Sequence, residues 1–250
     1  MSAAELVYGI NPVAALLADE RRPVDDLWVI KGRLNPRQES LVEQARARGV
    51  RPRFVDKATL DRLSERGTHQ GIAARGGAKP QRSWESLLDR VEQSPDALLV
   101  LLDGVEDPHN LGAILRSAEA FGAMAVAQPK DRSAPLSPVA VKASAGAAER
   151  MDLVKMTNLA RAIEELQELG VMVIGLAGDE GSQDLTSVDL TGRIALVMGN
   201  EGKGLRRLTR ERCDVLAAIH MAGEVGSLNV SVATGVALYE AARQRASGRR

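Results

Sequence analysis

An α/β protein of two unequal parts, a small mixed unit followed by a larger parallel-sheet unit, is the architecture this sequence predicts, and three observations carry it. Short apolar runs alternate with helix-periodic segments along nearly all of the 250 residues. The runs after Ala97 are longer and apolar on both faces, the pattern of strands buried in a parallel sheet with helices on either side. Between the two regimes stands a Gly and Pro cluster, Gly76, Gly77, Ala78, Lys79 and Pro80, which reads as a linker.

In the first part, strands are expected at ELVYG from Glu5, DLWVI from Asp26, RPRFVD from Arg51 and QGIAA from Gln70. Helices are expected from about Pro12 and through Arg37 to Arg48. Together they make a compact α/β domain over residues 1–76, joined by a linker at 77–94 to a second domain at 95–250. There the strands are ALLVLLD from Ala97, MAVAQP from Met124, VMVIGLA from Val171, IALVMG from Ile194 and VLAAIHM from Val215. Helical patterns separate most of them, notably LGAILRSAEAFG and NLARAIEELQELG. No repeat or low-complexity tract is visible, and GRR from Gly248 reads as a frayed tail.

Composition narrows the function classes. Lys plus Arg and Asp plus Glu both number 33, so a strongly basic nucleic-acid footprint is absent. The charge is unevenly placed: residues 1–76 carry net +3 and the remainder net −3, which favours the first domain for contact with an anionic partner. Aromatics make up only 2%, so the core is aliphatic and nucleic-acid bases would find few rings to stack on. The single cysteine, Cys213, allows no internal disulfide and no multi-thiolate metal site, and a reducing compartment is the default. MSAAELVYGINP lacks a basic region followed by an apolar one, and no run approaches the about 18 apolar residues of a membrane span; a soluble cytoplasmic protein is expected.

Chemistry concentrates where three apolar runs end. DGVEDPHNLGAILRSAEAFG from Asp103, LVMGNEGKGL from Leu196 and MAGEVGSLNVSVATGVALYEA from Met221 each set glycines and polar side chains after or before a buried segment, so one site built from three loops is the economical reading. In the first, Leu111, Ile114, Leu115 and Ala118 share one helical face, Asn110 stands where a helix cap would, and Gly122 marks the stop. A capping and a catalytic role for Asn110 are equally compatible with that pattern. Arg116 lies off the apolar stripe and by pattern alone is a solvated helix arginine.

Gly199, Gly202 and Gly204 match neither GxxxxGK[ST] nor GxGxxG, so the second stretch is no P-loop or dinucleotide fingerprint; a tight loop bringing backbone against an adenosine fits better. Glu201 could equally be a solvated acid on that turn, and Lys203 has no assignable role. In the third, Ser227 and Asn229 precede a helical pattern with small residues on its packed side, and either can cap it while also serving a site. His69 and His109 lack metal-ligand spacing and there is no HExxH or CxxC, so no metal is expected; His69 is assigned to a strand of the first domain and His109 to the first motif loop. Cys213 is expected at a buried helix end.

In this order the three motifs resemble the SpoU-type RNA ribose 2′-O-methyltransferases of the SPOUT superfamily, which use S-adenosylmethionine. YGINPVAALLA from Tyr8 and THQGIAA from Thr68 resemble the small, ribosomal-protein-like RNA-binding domain of the subgroup acting on a guanosine of 23S ribosomal RNA. The resemblance implies a deep trefoil knot in the C-terminal domain, an exception to the rule against threaded chains, and a homodimer completing catalysis across its interface. It assigns Arg116 to the target phosphate and to removal of the 2′-hydroxyl proton, although an arginine alone is a poor base. It places Asn110, Glu201, Ser227 and Asn229 in the catalytic site and Gly199, Ile219 and Leu228 against the cofactor. His220 departs from the pattern, standing where the family has proline, which puts cofactor affinity in question rather than reaction class.

Three other readings compete: the same chemistry on transfer RNA or another ribosomal nucleotide, a catalytically silent RNA-binding ribosome-assembly factor, and a dinucleotide-dependent oxidoreductase. YGINPVAALLA and THQGIAA favour ribosomal RNA, the joint presence of Asn110, Arg116, Glu201 and Asn229 disfavours a silent protein, and the missing glycine fingerprint disfavours the oxidoreductase.

Overall fold

The computed structural model describes residues 4–20, 22–77, 79, 81–178 and 181–248. Ala78 and Pro80 of the Gly and Pro cluster, Arg249 and Arg250 of the C-terminal tail, and the first three residues lie outside them. The chain divides into two compact units, Met1–Pro80 and Gln81–Arg250.

The first unit runs β1 (Ala4–Tyr8), α1 (Ile10–Ala18), β2 (Val24–Ile30), α2 (Pro36–Ala47), β3 (Pro52–Val55), α3 (Lys57–Leu63) and β4 (Ile72–Gly77). Its sheet has the order β1-β4-β2-β3, with β4 antiparallel to both neighbours and β2 parallel to β3. Alternation along β2 splits the core: Leu27 and Val29 face α1 and α2 with Leu16, Val13 and Leu41, while Trp28 turns the other way to Leu60 of α3. Helix α2 starts sharply because Asn35 and Gln38 form a reciprocal capping box with Pro36 in the first turn. His69 does serve this domain's framework: its Nδ1 accepts from Gly71 N at 2.9 Å and its Nε2 faces Asp61 at 3.1 Å.

The second unit continues with α4 (Trp84–Glu92), β5 (Leu98–Asp103), α5 (Pro108–Ala120), β6 (Ala125–Pro129), α6 (Pro138–Ala143), α7 (Ala147–Arg150) and β7 (Asp152–Met156). It ends with α8 (Leu159–Glu168), β8 (Met172–Leu176), β9 (Gln183–Asp184), β10 (Ile194–Gly199), α9 (Arg207–Arg212), β11 (Val215–Ala218) and α10 (Val230–Ser247). Among the described residues one seven-stranded sheet runs β7-β6-β5-β10-β8-β11-β9, and every pairing in it is parallel. Both faces are covered, as the two-sided apolar runs predict: Val100, Leu102, Leu196 and Met198 pack under α5 and α10, and Leu99, Leu101, Ala195 and Val197 under α4 and α8.

The stretch 77–94, expected as a linker, contains α4, which belongs to this unit. Ser83 caps it, Trp84, Leu87 and Val91 are buried, and the Trp84 indole donates to Glu165 Oε2 at 2.6 Å. Arg82 and Arg90 both reach Asp152 at 2.8 Å and so tie this helix to the edge strand β7. Among the described residues no helix is long and apolar enough to cross a membrane.

Candidate active site

Parallel strands collect their loops at one sheet edge, so the ends of β5, β8, β10 and β11 bring the three motifs together. A cavity of about 650 Å³ opens there, bounded by residues 176–178, 198–205, 217–219 and 226–230. Apolar groups from Leu176, Met198, Ile219 and Leu228 line part of it, and the backbone of the glycine loop lines another part.

The three glycines of that loop have different duties. Gly202 and Gly204 hold φ of +82° and +63°, left-handed values that let the chain double back on itself. Asn200 and Gly204 close the turn with two backbone hydrogen bonds of 3.0 and 2.9 Å. Gly199 instead meets a spatial limit, because a Cβ there would lie 2.3 Å from the carbonyl carbon of Gly204 and 2.5 Å from Leu205 N.

Helix α5 begins one turn earlier than the apolar stripe alone indicates. Asp107, not Asn110, is its cap, accepting from His109 N at 2.8 Å, and Pro108 opens the first turn. His109 therefore belongs to the first helical turn rather than to the loop. The capping alternative for Asn110 is thereby excluded, and its buried side chain turns toward the third motif instead.

Asn229 performs both duties considered for it. Its Oδ1 caps α10, accepting from Ser231 N at 2.9 Å and Val232 N at 3.3 Å. Its Nδ2 donates to Asn110 Oδ1 at 3.0 Å and to Glu201 Oε1 in a short contact. Glu201 Oε1 also lies 3.4 Å from Val230 N, at the start of α10. One residue from each motif thus meets in a single hydrogen-bonded cluster, with Glu201 and Asn229 on the cavity wall. Gly199, Ile219, Leu228 and Ser227 also line the cavity, and Ser227 is exposed with its hydroxyl unpaired among the described residues.

Arg116 is not brought to this cavity within one chain. It is exposed on α5, outside the cavity wall, and unpaired among the described residues. Helix α10 packs on α5 and leaves Val232, Val236 and Tyr239 exposed at successive helical turns. His220 is exposed beside Ile219, and its charge helps hold the Asp184 carboxyl below the usual range, after the larger effect of hydrogen bonds from Thr186.

Cys213 ends α9, donates to Thr209 O at 3.2 Å, and packs under the sheet. Burial, with the charges of Asp214 and Asp103, pushes its thiol up to about 12. A raised value keeps the neutral thiol dominant throughout the physiological range, so at pH 8 its thiolate fraction is on the order of 10³-fold below that of a free cysteine. Alkylation of the native protein by iodoacetamide is accordingly slow; labelling at the rate of a free thiol would contradict this placement.

Among the described residues no group of His, Cys, Asp and Glu is arranged to hold a metal ion. Sequence patterns missed Asp103, Asn200 and Arg206, which meet beside the cavity: Asn200 Nδ2 donates to Gly104 O at 2.7 Å and Arg206 N to Asp103 Oδ2 at 2.9 Å. The only local sign was an aspartate closing a wholly apolar run.

Comparison with known proteins agrees with this geometry. The model of the SpoU rRNA Methylase family matches residues 97–239, and that for RNA 2′-O ribose methyltransferase substrate binding matches 6–81. The 23S rRNA (guanosine-2′-O-)-methyltransferase RlmB of Pseudomonas putida is 49% identical over 250 residues, covering 98% of each chain. Its counterpart from Escherichia coli K12 is 48% identical over 96% of this chain and 99% of that one. The crystal structure of the SpoU methyltransferase AviRb from Streptomyces viridochromogenes with its cofactor AdoMet superimposes with a TM-score of 0.77, at 27% identity over 98% of this chain and 92% of that one. Three motifs converging on one cavity, a preceding domain with its own family match and full-length likeness lead to one placement: the chain belongs to the SpoU rRNA methylase family.

Proposed function

We propose that this protein transfers a methyl group from S-adenosylmethionine to the ribose 2′-oxygen of a guanosine in 23S ribosomal RNA. The observation that carries the reading is the meeting of Asn110, Glu201 and Asn229, the last two on the wall of a cavity of small-molecule size. Its volume, about 650 Å³, lies within the ~300–1,000 Å³ of small-molecule sites. Ile219 and Leu228 offer the adenine an apolar slot, and the loop backbone after Gly199 offers it hydrogen bonds. S-adenosylmethionine supplies an electrophilic methyl group on a sulfonium, to which an oxygen must approach nearly in line.

The protein's part is mainly placement, which at best lowers such a barrier by about 7–11 kcal/mol. Glu201 fixes the Asn229 amide, Asn229 fixes Asn110, and together with the free hydroxyl of Ser227 they present polar groups to the ribose. Arg116 neutralises the phosphate of the target nucleotide, and that phosphate takes the 2′-hydroxyl proton, since a guanidinium remains protonated.

Because Arg116 lies outside the cavity of its own chain, it serves the cavity of a second copy. On α10, which packs on α5, the exposed Val232, Val236 and Tyr239 supply an apolar face for a symmetric dimer. The trefoil knot belongs to the same reading, supported by the match of residues 97–239 to the SpoU rRNA Methylase family. The first unit, with its net positive charge, holds the RNA. The full-length likeness to enzymes named for 23S RNA favours that substrate over transfer RNA. The test is transfer of labelled methyl from S-adenosylmethionine to 23S RNA, 16S RNA and transfer RNA from cells lacking the protein. Label in 23S RNA alone is expected, and label confined to transfer RNA would transfer the reading to the alternative substrate.

A further inference from the structure

The carboxylate that closes β5 stands beside the cavity, and no role has yet been given to it. Asp103 is fully buried and stands opposite Gly199 in the register of β5 and β10. Its Oδ2 accepts the backbone N–H of Arg206 at 2.9 Å, while its Oδ1 lies 3.4 Å from Arg206 Nε, too poorly aligned for a hydrogen bond. The next residue, Gly104, accepts from the Asn200 side chain at 2.7 Å through its carbonyl. Two consecutive residues at the end of one strand thus grip both ends of the glycine loop, Asn200 where it leaves β10 and Arg206 where it enters α9. Glu201 sits between the two grips, on the turn closed by Asn200 and Gly204, and from there accepts from Asn229.

Burying a carboxylate is costly, and one ion pair of poor geometry to a half-exposed guanidinium recovers only part of the cost. An apolar residue would close the end of β5 without a buried charge but would leave the Arg206 N–H without its acceptor, so what the aspartate adds at this position is its hold on the loop. We infer that Asp103 is a positioning residue: with Gly104 and Arg206 it clamps the glycine loop so that Glu201 meets Asn229 and the loop walls the cavity. Its catalytic consequence rests on the function proposed above; the clamp itself does not.

The test compares full-length wild type with Asp103→Ala and Asp103→Asn. Alanine removes the acceptor for Arg206 N–H, and the half-exposed guanidinium can return to water. Hydrogen exchange of amides 200–206, measured without cofactor, is expected to speed up about tenfold or more in the alanine variant, with β5 and β10 unchanged. The kcat for methyl transfer falls about tenfold or more, with KM for RNA little altered. Asp103→Asn keeps an acceptor for Arg206 N–H and recovers part of both effects. Unchanged loop exchange in Asp103→Ala overturns the inference. Exchange that accelerates across the whole sheet with loss of activity also overturns it, by assigning Asp103 to folding. A wild type that methylates no RNA removes the proposed function instead, and the loop exchange still decides the clamp.

Discussion

Replacement of Arg116 by alanine is expected to lower turnover on the order of 10²–10³-fold while changing cofactor affinity by less than about twofold. The side chain is exposed, unpaired among the described residues and absent from the cavity wall, so its removal disturbs neither the α5 packing nor the cofactor slot. What is lost is a fixed positive charge for the phosphate next to the reacting hydroxyl. Arg116→Lys keeps the charge without the planar fork and recovers only part of the rate. Single-turnover kinetics and calorimetric titration of S-adenosylmethionine separate the two effects, and wild-type turnover in the alanine variant would remove Arg116 from the mechanism. A dimer that exchanges this residue makes a second demand. Mixing inactive Arg116→Ala with inactive Glu201→Ala chains restores about a quarter of wild-type activity, because half the dimers are mixed and each holds one complete site. No recovery after subunit exchange would place Arg116 in its own chain's site.

Gly199→Ala is expected to weaken cofactor binding about 100-fold or more. The added methyl would stand 2.3 Å from the Gly204 carbonyl carbon and 2.6 Å from its oxygen, both backbone atoms, so the loop must move by about an ångström. A displacement of that size can cost a site about 10²-fold, and here it also parts Glu201 from Asn229. Overpacking adds about 1–3 kcal/mol of destabilisation. Titration with S-adenosylmethionine and thermal unfolding read both effects; near-normal affinity would show that the loop does not wall the cofactor slot.

The parallel sheet was legible because strands buried on both faces leave unbroken apolar runs, as at 97–103 and 194–199. Elements lacking that mark were missed. β7 is an edge strand whose Asp152 and Lys155 interrupt the run, each held by a partner the local pattern does not reveal: Arg82 and Arg90 for one, Ser133 for the other. Helices α3, α6, α7 and α9 are 7, 6, 4 and 6 residues long, too short for a helical period to stand out. The start of α5 was legible in Asp107 and Pro108, but the apolar stripe from Leu111 drew the boundary one turn too late. At the site, Asn110, Glu201 and Asn229 could be named from three motifs, but their hydrogen bonds span 28 and 119 residues and follow only from strand order. The same holds for Asp103 and Arg206, 103 residues apart.

Nucleoside analysis of 23S RNA after reaction with the purified protein decides where the methyl group goes. Methylation of a ribose 2′-oxygen removes the nucleophile that cleaves the adjacent phosphodiester in alkali. Labelled 2′-O-methylguanosine is therefore expected, recovered in one alkali-resistant dinucleotide and absent when Arg116→Ala is used. Label on a guanine base, with every phosphodiester still alkali-labile, would contradict it.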